Sequence, residues 1–186
     1  APAPGGDLPP RCLRRLATEL RKVEEQREQF MSEHGIDIAL SDLAGNDLTT
    51  WTVRIFASGV DASSDFGREL RRVGAEAVEL ELWVGPEFPS APPKVRVLRP
   101  CFQQGSFFVH AEGALCMEAL TLQGWSAAMS LPQVGVQVKT MMGMGKGTIQ
   151  SCAAMGQPGP AGRQRAASVA TRIESVHNDW KTFKMA

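Results

Sequence analysis

The chain has 186 residues, of which 43% are hydrophobic and 22% charged, and this composition fits one folded domain and excludes wholesale disorder. Its 20 basic and 20 acidic residues cancel, whereas a protein that neutralises nucleic-acid phosphates usually carries a basic excess, so we expect no nucleic-acid partner. Because no apolar run approaches the roughly 18 residues that a membrane span needs, we expect no membrane partner either.

The first predicted element is a long amphipathic helix. Residues 1–7 are rich in proline and glycine and predict a flexible lead-in, followed by a single domain over residues 8–182. Apolar residues then recur every three or four positions to about Gly35, namely Leu13, Leu16, Leu20 and Val23.

Three arginines fall mostly on the other side of this helix. Arg14, Arg15 and Arg21 form either a solvated face or a basic docking surface for an acidic partner. The spacing alone leaves both interpretations open.

Four runs of alternating apolar residues follow and predict strands, at 36–40, 48–57, 78–84 and 94–100. Their short connections indicate an antiparallel meander with one apolar face that helices must cover. Between the second and third runs, a helical turn is possible around Leu70 and Val73.

After Pro100 the pattern becomes apolar but aperiodic to about residue 125, which is typical of a functional loop. A helix is predicted over 130–142, then a glycine-rich break that contains Lys146, and a last amphipathic helix from about Gln164 to Trp180. The predicted fold class is therefore α+β.

Two segments carry the chemistry. They are FPSAPPKVRV at 88–97 and GALCMEALTLQGWS at 113–126. Together and in this order they resemble ubiquitin-conjugating enzymes, which have an aromatic-Pro-x-x-Pro-Pro-Lys-Val segment and a Gly-x-x-Cys followed by a Trp-Ser pair. The chain looks most like the divergent Q-type members, which share GALCME and the glycine break with its lysine. The resemblance covers roughly residues 9 to 180.

The resemblance implies a ubiquitin-conjugating fold in which Cys116 is the nucleophile and Glu118 the acidic residue that follows it. A cysteine suits transfer between thioesters, because its thiolate is both a good nucleophile and a tolerable leaving group. The attacking lysine is the harder problem, since an unperturbed amine with a pKa near 10.4 is almost wholly protonated at pH 7. An acid or a desolvating surface must assist it.

One family feature is absent from the sequence. Most members have His-Pro-Asn before the cysteine, and its place here falls on residues 106–108 when counted back from Cys116, or on 103–105 when counted forward from Pro100. In the second register Gln104 or Gln103 could donate to an oxyanion as asparagine does. His110 is the third candidate, and its alternative role is that of an ordinary surface histidine.

The partners implied by the resemblance are ubiquitin, its activating enzyme, a ubiquitin ligase and a protein substrate. Ser90 stands between the prolines where many members have an aromatic ligase contact, and Ser126 and Ala127 stand in the other partner-binding loop. With the three helix arginines they form the predicted partner-binding set. Trp125 is interpreted as a core residue beneath the loop.

The remaining cysteines predict no metal site, because Cys12, Cys101 and Cys152 lie outside any C-x-x-C pair. We expect no metal and no cofactor, and reduced thiols in the cytoplasm or nucleus. Cys12 is expected to be structural, as is Cys101, whereas Cys152 is expected in a mobile linker.

Two functions follow as hypotheses. The first is an active conjugating enzyme with ubiquitin as a thioester on Cys116, and the second is an inactive ubiquitin- or ligase-binding module on the same fold. The retained cysteine favours the first, and the missing asparagine favours the second. A cysteine hydrolase ranks third, because no His-Asn or His-Asp pair can be placed beside Cys116.

Overall fold

The computed structural model describes residues 8–41, 47–156 and 159–184, with side chains described up to residue 175. The four helices of this part of the chain are α1 (Pro10–His34), α2 (Asp65–Val73), α3 (Leu131–Met144) and α4 (Gly159–Lys184). Its strands are β1 (Ile36–Leu40), β2 (Thr50–Phe56), β3 (Ala77–Trp83), β4 (Lys94–Arg99), β5 (Cys101–Phe102) and β6 (Ile149–Ser151). The predicted lead-in over residues 1–7 lies outside the described residues.

The first four strands form one antiparallel sheet in the order β1-β2-β3-β4, which confirms the predicted meander. Val53 lies opposite Leu80, and Leu82 lies opposite Val95, so apolar residues of neighbouring strands share one face. These side chains are almost fully buried because α1 and α3 pack against that side of the molecule. The α+β fold with a helix on either side of the meander is therefore confirmed.

Helix α1 ends where the sequence indicates. Gly35 takes a left-handed conformation (φ 62°), and its N–H caps the last turn by donating to the carbonyl of Met31. The helix buries Leu16 and Val23 as expected. It also buries Glu19, whose carboxylate accepts hydrogen bonds from Arg15 Nε and from the N–H of Leu131 at the start of α3, both at 2.7 Å.

Helix α2 has nine residues rather than the single turn that the sequence suggested. The Ser64 side chain accepts from the N–H of Gly67 at its start, and Gly74 ends it in a left-handed conformation. Phe66 and Leu70 are fully buried in the core. The two apolar contacts, rather than helix propensity, stabilise this short helix.

A second, two-stranded sheet was not predicted. Cys101 in β5 pairs with Ser151 in β6, so the glycine-rich break after α3 returns to the segment that follows β4. Strands this short give no periodic signal in the sequence. Helix α4 begins at Gly159, earlier than the predicted Gln164.

Helix α4 docks through charges on the face of the sheet opposite the apolar one. Glu81 lies directly across from Arg96, which is fully buried, and its Oε2 pairs with Arg96 Nη2 at 2.7 Å. The other oxygen accepts from Arg163 Nε of α4 at 3.1 Å, and Arg163 also donates to Thr50 Oγ1. One carboxylate therefore holds both arginines. Within the described residues, no helix is apolar over a length that would cross a membrane.

Candidate active site

Cys116 lies directly beyond a small hairpin that the irregular loop forms. Val109 bridges Leu115, the N–H of His110 donates to the carbonyl of Ala114 (2.8 Å), and the N–H of Cys116 donates to the carbonyl of Phe108 (3.1 Å). The thiol is half-buried and forms no disulfide. The hairpin thus fixes the backbone of Cys116 and leaves the residue half-buried.

The hairpin is held against the sheet by a glycine. Ala114 bridges Arg96 of β4, and the adjacent Gly113 has φ 78°. A Cβ at this position would lie 2.0 Å from the carbonyl oxygen of Val97, so only glycine permits such a close approach. The glycine of the Gly-x-x-Cys motif therefore anchors the loop that carries the cysteine.

The segment opposite Cys116 has unusual backbone geometry. Phe107 and Phe108 have φ values of 52° and 65°, a left-handed conformation that costs a bulky residue about 1–3 kcal/mol. Phe107 is fully buried against Phe66 and Phe102, whereas Phe108 is 39% exposed. Packing of Phe107 in the core offsets the strain and presents Phe108 beside the cysteine.

Two features of its surroundings raise the pKa of the Cys116 thiol. The larger is desolvation by burial, and the smaller is the negative charge of Glu174 on α4. Helix α4 reaches this region because it packs on the turn at Ala111–Gly113, where Arg165 Nε pairs with Glu112 Oε2 at 3.4 Å. The sequence predicted the helix but gave no signal that the charge of Glu174 would act on the cysteine.

The structure places the residues of both registers proposed for the missing tripeptide. It places Phe108 opposite Cys116, which corresponds to counting back to residues 106–108. Gln103 instead donates its N–H to Thr148, and Gln104 lies in the turn between Gln103 and Ser106. A role of either glutamine at an oxyanion stays a prediction.

The other two predicted residues stay near the cysteine in the chain. His110 lies opposite Ala114 in the hairpin, with its backbone N–H and carbonyl both bonded within it. Glu118 begins a short 3-10 turn, is exposed, and its carbonyl accepts from Thr121. The catalytic parts assigned to His110 and Glu118 remain predictions.

Arg15 joins three segments of the molecule and does not lie in the solvated basic face that the helical pattern indicated. Its guanidinium donates to Glu19 and to the carbonyls of Ala127 and Met129, and it stacks over the Phe88 ring at 5.5 Å. This corrects its predicted placement. The physical reason is the buried Glu19 one turn away, which draws the arginine inward.

The rest of the predicted partner-binding set is exposed, and most of it lies around Arg15. Ser90 follows Pro89, whose carbonyl accepts from Trp125 Nε1 at 2.8 Å, and Ser126 and Ala127 follow Trp125. Arg14 and Arg21 are exposed along α1. Their binding role remains a prediction. Trp125 is partly buried against the core, with its ring 6.4 Å from Phe88.

The remaining cysteines differ in environment. Cys12 is fully buried, and burial raises its pKa, which fits its structural interpretation. Cys101 donates to Gln150 Oε1 at 3.3 Å in the small sheet, and Cys152 is exposed. In the described ranges no group of three or more His, Cys, Asp or Glu side chains could hold a metal ion.

The known proteins to which this chain is similar are named as ubiquitin-conjugating enzymes or as proteins like them. The human ubiquitin-conjugating enzyme E2 Q-like protein 1 is 31% identical over 131 residues, which cover 70% of this chain and 74% of that protein. A Drosophila melanogaster ubiquitin-conjugating enzyme E2 Q-like protein is 33% identical over 136 residues, and Caenorhabditis elegans ubiquitin-conjugating enzyme E2 25 is 44% identical over 136 residues. These matches cover 73% and 69% of this chain.

The chain spans less than half of several relatives, namely 42% of the fly protein and 34% of the worm protein. Among solved structures, human ubiquitin-conjugating enzyme E2 G1 superposes with a TM-score of 0.55 at 18% identity, covering 74% of this chain and 98% of that one. The similarity at this identity concerns the fold alone. No protein-family model matches the chain.

Proposed function

The chain belongs to the ubiquitin-conjugating enzyme family and matches its Q-type members, and we propose that it accepts ubiquitin as a thioester on Cys116 and transfers it to a substrate amine. The observation that carries the proposal is the half-buried, disulfide-free thiol of Cys116, held by the hairpin at the end of the Gly-x-x-Cys motif. The partners would be the activating enzyme, a ubiquitin ligase and a protein substrate.

The chemistry is two successive acyl transfers. In the first, the Cys116 sulfur attacks the carbonyl carbon of a ubiquitin thioester, a new C–S bond forms, and the thiolate of the activating enzyme leaves. In the second, an amine attacks the new thioester, a C–N bond forms, the Cys116 thiolate leaves, and the amine proton passes to solvent or to a nearby base.

The raised pKa of Cys116 has opposite effects on these two steps. A thiol with a raised pKa is less often ionised at neutral pH, which slows the first transfer, although its thiolate is intrinsically more nucleophilic. The same thiolate is a poorer leaving group in the second transfer. Loading should therefore accelerate as the pH rises towards and beyond 9, the ordinary value for the group.

The predicted partner-binding set supports a docking role. Arg14 and Arg21 present positive charge along one side of α1, and Ser90 and Ser126 lie on the two loops that Arg15 and Trp125 tie together. A ligase or activating enzyme with an acidic contact surface would complement the helix charges. We place this activity in the cytoplasm or nucleus, where thiols stay reduced.

A non-enzymatic binding module is the second candidate. The observation in its favour is the residue opposite Cys116, since Phe108 offers no side-chain donor for an oxyanion where most relatives have asparagine. Such a module would dock ubiquitin or a ligase without forming a thioester.

One loading experiment separates the two functions. The protein is mixed with activating enzyme, ATP and ubiquitin and resolved on a non-reducing gel, where the enzyme gives a band heavier by one ubiquitin that thiol reductant removes. Cys116→Ser should give a reductant-resistant, alkali-labile oxyester, and Cys101→Ser serves as the matched control that keeps the thioester. Absence of any adduct would favour the binding module, and an unchanged thioester in Cys116→Ser would move the site to another cysteine.

A further inference from the structure

The turn at Ala111–Gly113 contains a residue in an unfavourable backbone conformation. Glu112 has φ 58°, in the left-handed region, which is costly for a residue that carries a Cβ. The same turn leads into the Gly-x-x-Cys motif and therefore into Cys116. A residue keeps such a conformation where its surroundings hold it, and strained residues concentrate at functional sites. The contacts of Glu112 therefore show what holds this turn in place.

The Glu112 carboxylate is held from two sides. Its Oε2 atom is buried and lies 3.4 Å from Arg165 Nε on α4. Gly156, with φ 76°, packs so closely that a Cβ there would lie 2.6 Å from the same oxygen. Because Oε2 is buried, water solvates its charge poorly, and the guanidinium of Arg165 compensates for it. The ion pair therefore connects the turn before Cys116 to helix α4.

Apolar packing alone does not set the direction of α4. Ala166 is 2% exposed, but Val169 and Ile173, about one and two turns further along, are only half-buried. The first turns of the helix are also attached by ion pairs, since Arg163 binds the sheet and Arg165 binds the turn. Two attachment points define the direction of a helix, whereas a single one lets it tilt.

A tilt of α4 would carry Glu174 away from the cysteine. Glu174 lies nine residues beyond Arg165, which is about 14 Å along the helix axis. A rotation of about 20° around the Arg165 end would therefore displace Glu174 by about 5 Å. The charge of Glu174 acts on the Cys116 thiol, and the interaction between charges weakens with distance. The thiol therefore reports the direction of the helix.

Several titratable groups belong to the elements around Cys116. They are His110 and Glu112 in the hairpin, Glu118 in the turn that follows the cysteine, and Glu174 on α4. His110 and Glu118 lie in the same segment of chain as the cysteine, so a change in the direction of α4 leaves them in place. Such a change can therefore be recognised by its effect on Glu174.

We propose that Glu112 and Arg165 are positioning residues of the conjugating site, an inference that rests on the proposed function. Their ion pair orients α4 across the turn that precedes Cys116, and so fixes how close the helix stands to the thiol that carries ubiquitin. Without the pair, α4 tilts away from the turn. The hairpin itself stays in place, because the close approach of Gly113 to the Val97 carbonyl anchors it independently.

Alkylation of Cys116 at a series of pH values tests this role in the full chain, with the Cys116 peptide quantified by mass spectrometry. Arg165→Gln and Glu112→Gly should each shift the alkylation profile to lower pH, because Glu174 moves away. In either variant, adding Glu174→Gln should shift the profile by less than half as much as it does in the unsubstituted chain. Arg165→Lys should keep the original profile, because an ammonium group also pairs with a carboxylate.

Controls separate positioning from a general loss of structure. Arg172→Gln removes an exposed arginine from the same helix and should leave the profile in place. Glu112→Gly should stay folded in a urea titration, because glycine readily adopts the left-handed conformation of the turn. A protein that merely lost stability would not lose its response to Glu174→Gln while remaining folded.

Each of four results would overturn the inference. They are an unshifted profile in Arg165→Gln, an undiminished effect of Glu174→Gln in either variant, a shifted profile in Arg165→Lys, and a shift in Arg172→Gln as large as that in Arg165→Gln. These results concern the thiol alone and need no ubiquitin. The proposed function fails separately, on the absence of a thioester after incubation with activating enzyme, ATP and ubiquitin. Where the thioester does form, the rise of its loading rate with pH should begin at lower pH in Arg165→Gln and be unmoved in Arg165→Lys.

Discussion

Replacing Glu81 by glutamine removes a negative charge that pairs with both Arg96 and Arg163 at the interface between the sheet and α4. Glu81 is 5% exposed and Arg96 fully buried, so their charges interact with little screening. Loss of one partner from a buried ion pair costs about 3–5 kcal/mol, because the remaining charge stays desolvated. We expect Glu81→Gln to lower the free energy of unfolding by about that amount.

The same strand supplies a matched control. Glu79 contacts Arg99 at 3.2 Å and Arg54 at 3.8 Å, and both arginine side chains are more than half exposed. Glu79→Gln should therefore cost less than about 1 kcal/mol. Urea unfolding followed by tryptophan fluorescence measures both variants under identical conditions, and the slope of the transition checks that each unfolds in two states.

Comparison of Glu81→Gln with Glu79→Gln can refute the role assigned to burial. If the two substitutions destabilise the protein equally, within about 0.5 kcal/mol, burial does not strengthen the Glu81 contacts and the reasoning is wrong. A second test replaces both Glu81 and Arg96 by leucine, which should cost less than Glu81→Gln alone because the fully buried charge of Arg96 is removed together with that of Glu81. Weaker docking of α4 would also move Glu174 away from Cys116.

Three further predictions concern the site and the helix beside it. Glu174→Gln should lower the pKa of Cys116, so alkylation of the Cys116 peptide, followed by mass spectrometry, should shift to lower pH, whereas Glu118→Gln should leave the profile in place. Hydrogen bonds from Arg72 and from the N–H of Ile149 lower the pKa of Glu69 to about 2, so Glu69→Gln should cost about 1 kcal/mol at pH 7. This difference in unfolding free energy between the unsubstituted protein and Glu69→Gln is present above pH 4.5, the ordinary pKa of the group, and should disappear as the pH falls towards 2. A difference in unfolding free energy that persists at pH 2 would contradict the prediction. Gly113→Ala should cost about 3 kcal/mol and reduce thioester loading, whereas Gly105→Ala, at φ 82° with open space around it, should cost about 1 kcal/mol in the same urea assay.

The sequence could not decide which residues take the place of the missing His-Pro-Asn tripeptide. Counting along the chain gave two registers, since the distance from Pro100 to Cys116 is compatible with either. Only the tertiary structure shows where each segment lies, with Phe108 bonded to the N–H of Cys116 and Gln103 bonded to Thr148. Loop residues carry no periodic pattern, so their pairing depends on contacts that neighbouring residues do not encode.

The sequence by itself determined the long helices, the four strands of the antiparallel meander, and Cys116 as the candidate nucleophile. The helices, strands and meander follow from patterns over a few consecutive residues, because the period of side-chain burial reflects local backbone geometry, whereas Cys116 follows from the family resemblance of its motif. Tertiary structure decided that α4 docks through Glu81, that the charge of Glu174 acts on Cys116, and that Phe107 binds the carbonyl of Lys146. Each of these depends on residues brought together from distant parts of the chain, such as Glu81 and Arg163, which are 82 positions apart. Their contacts exist only when helices and sheet pack around the common core.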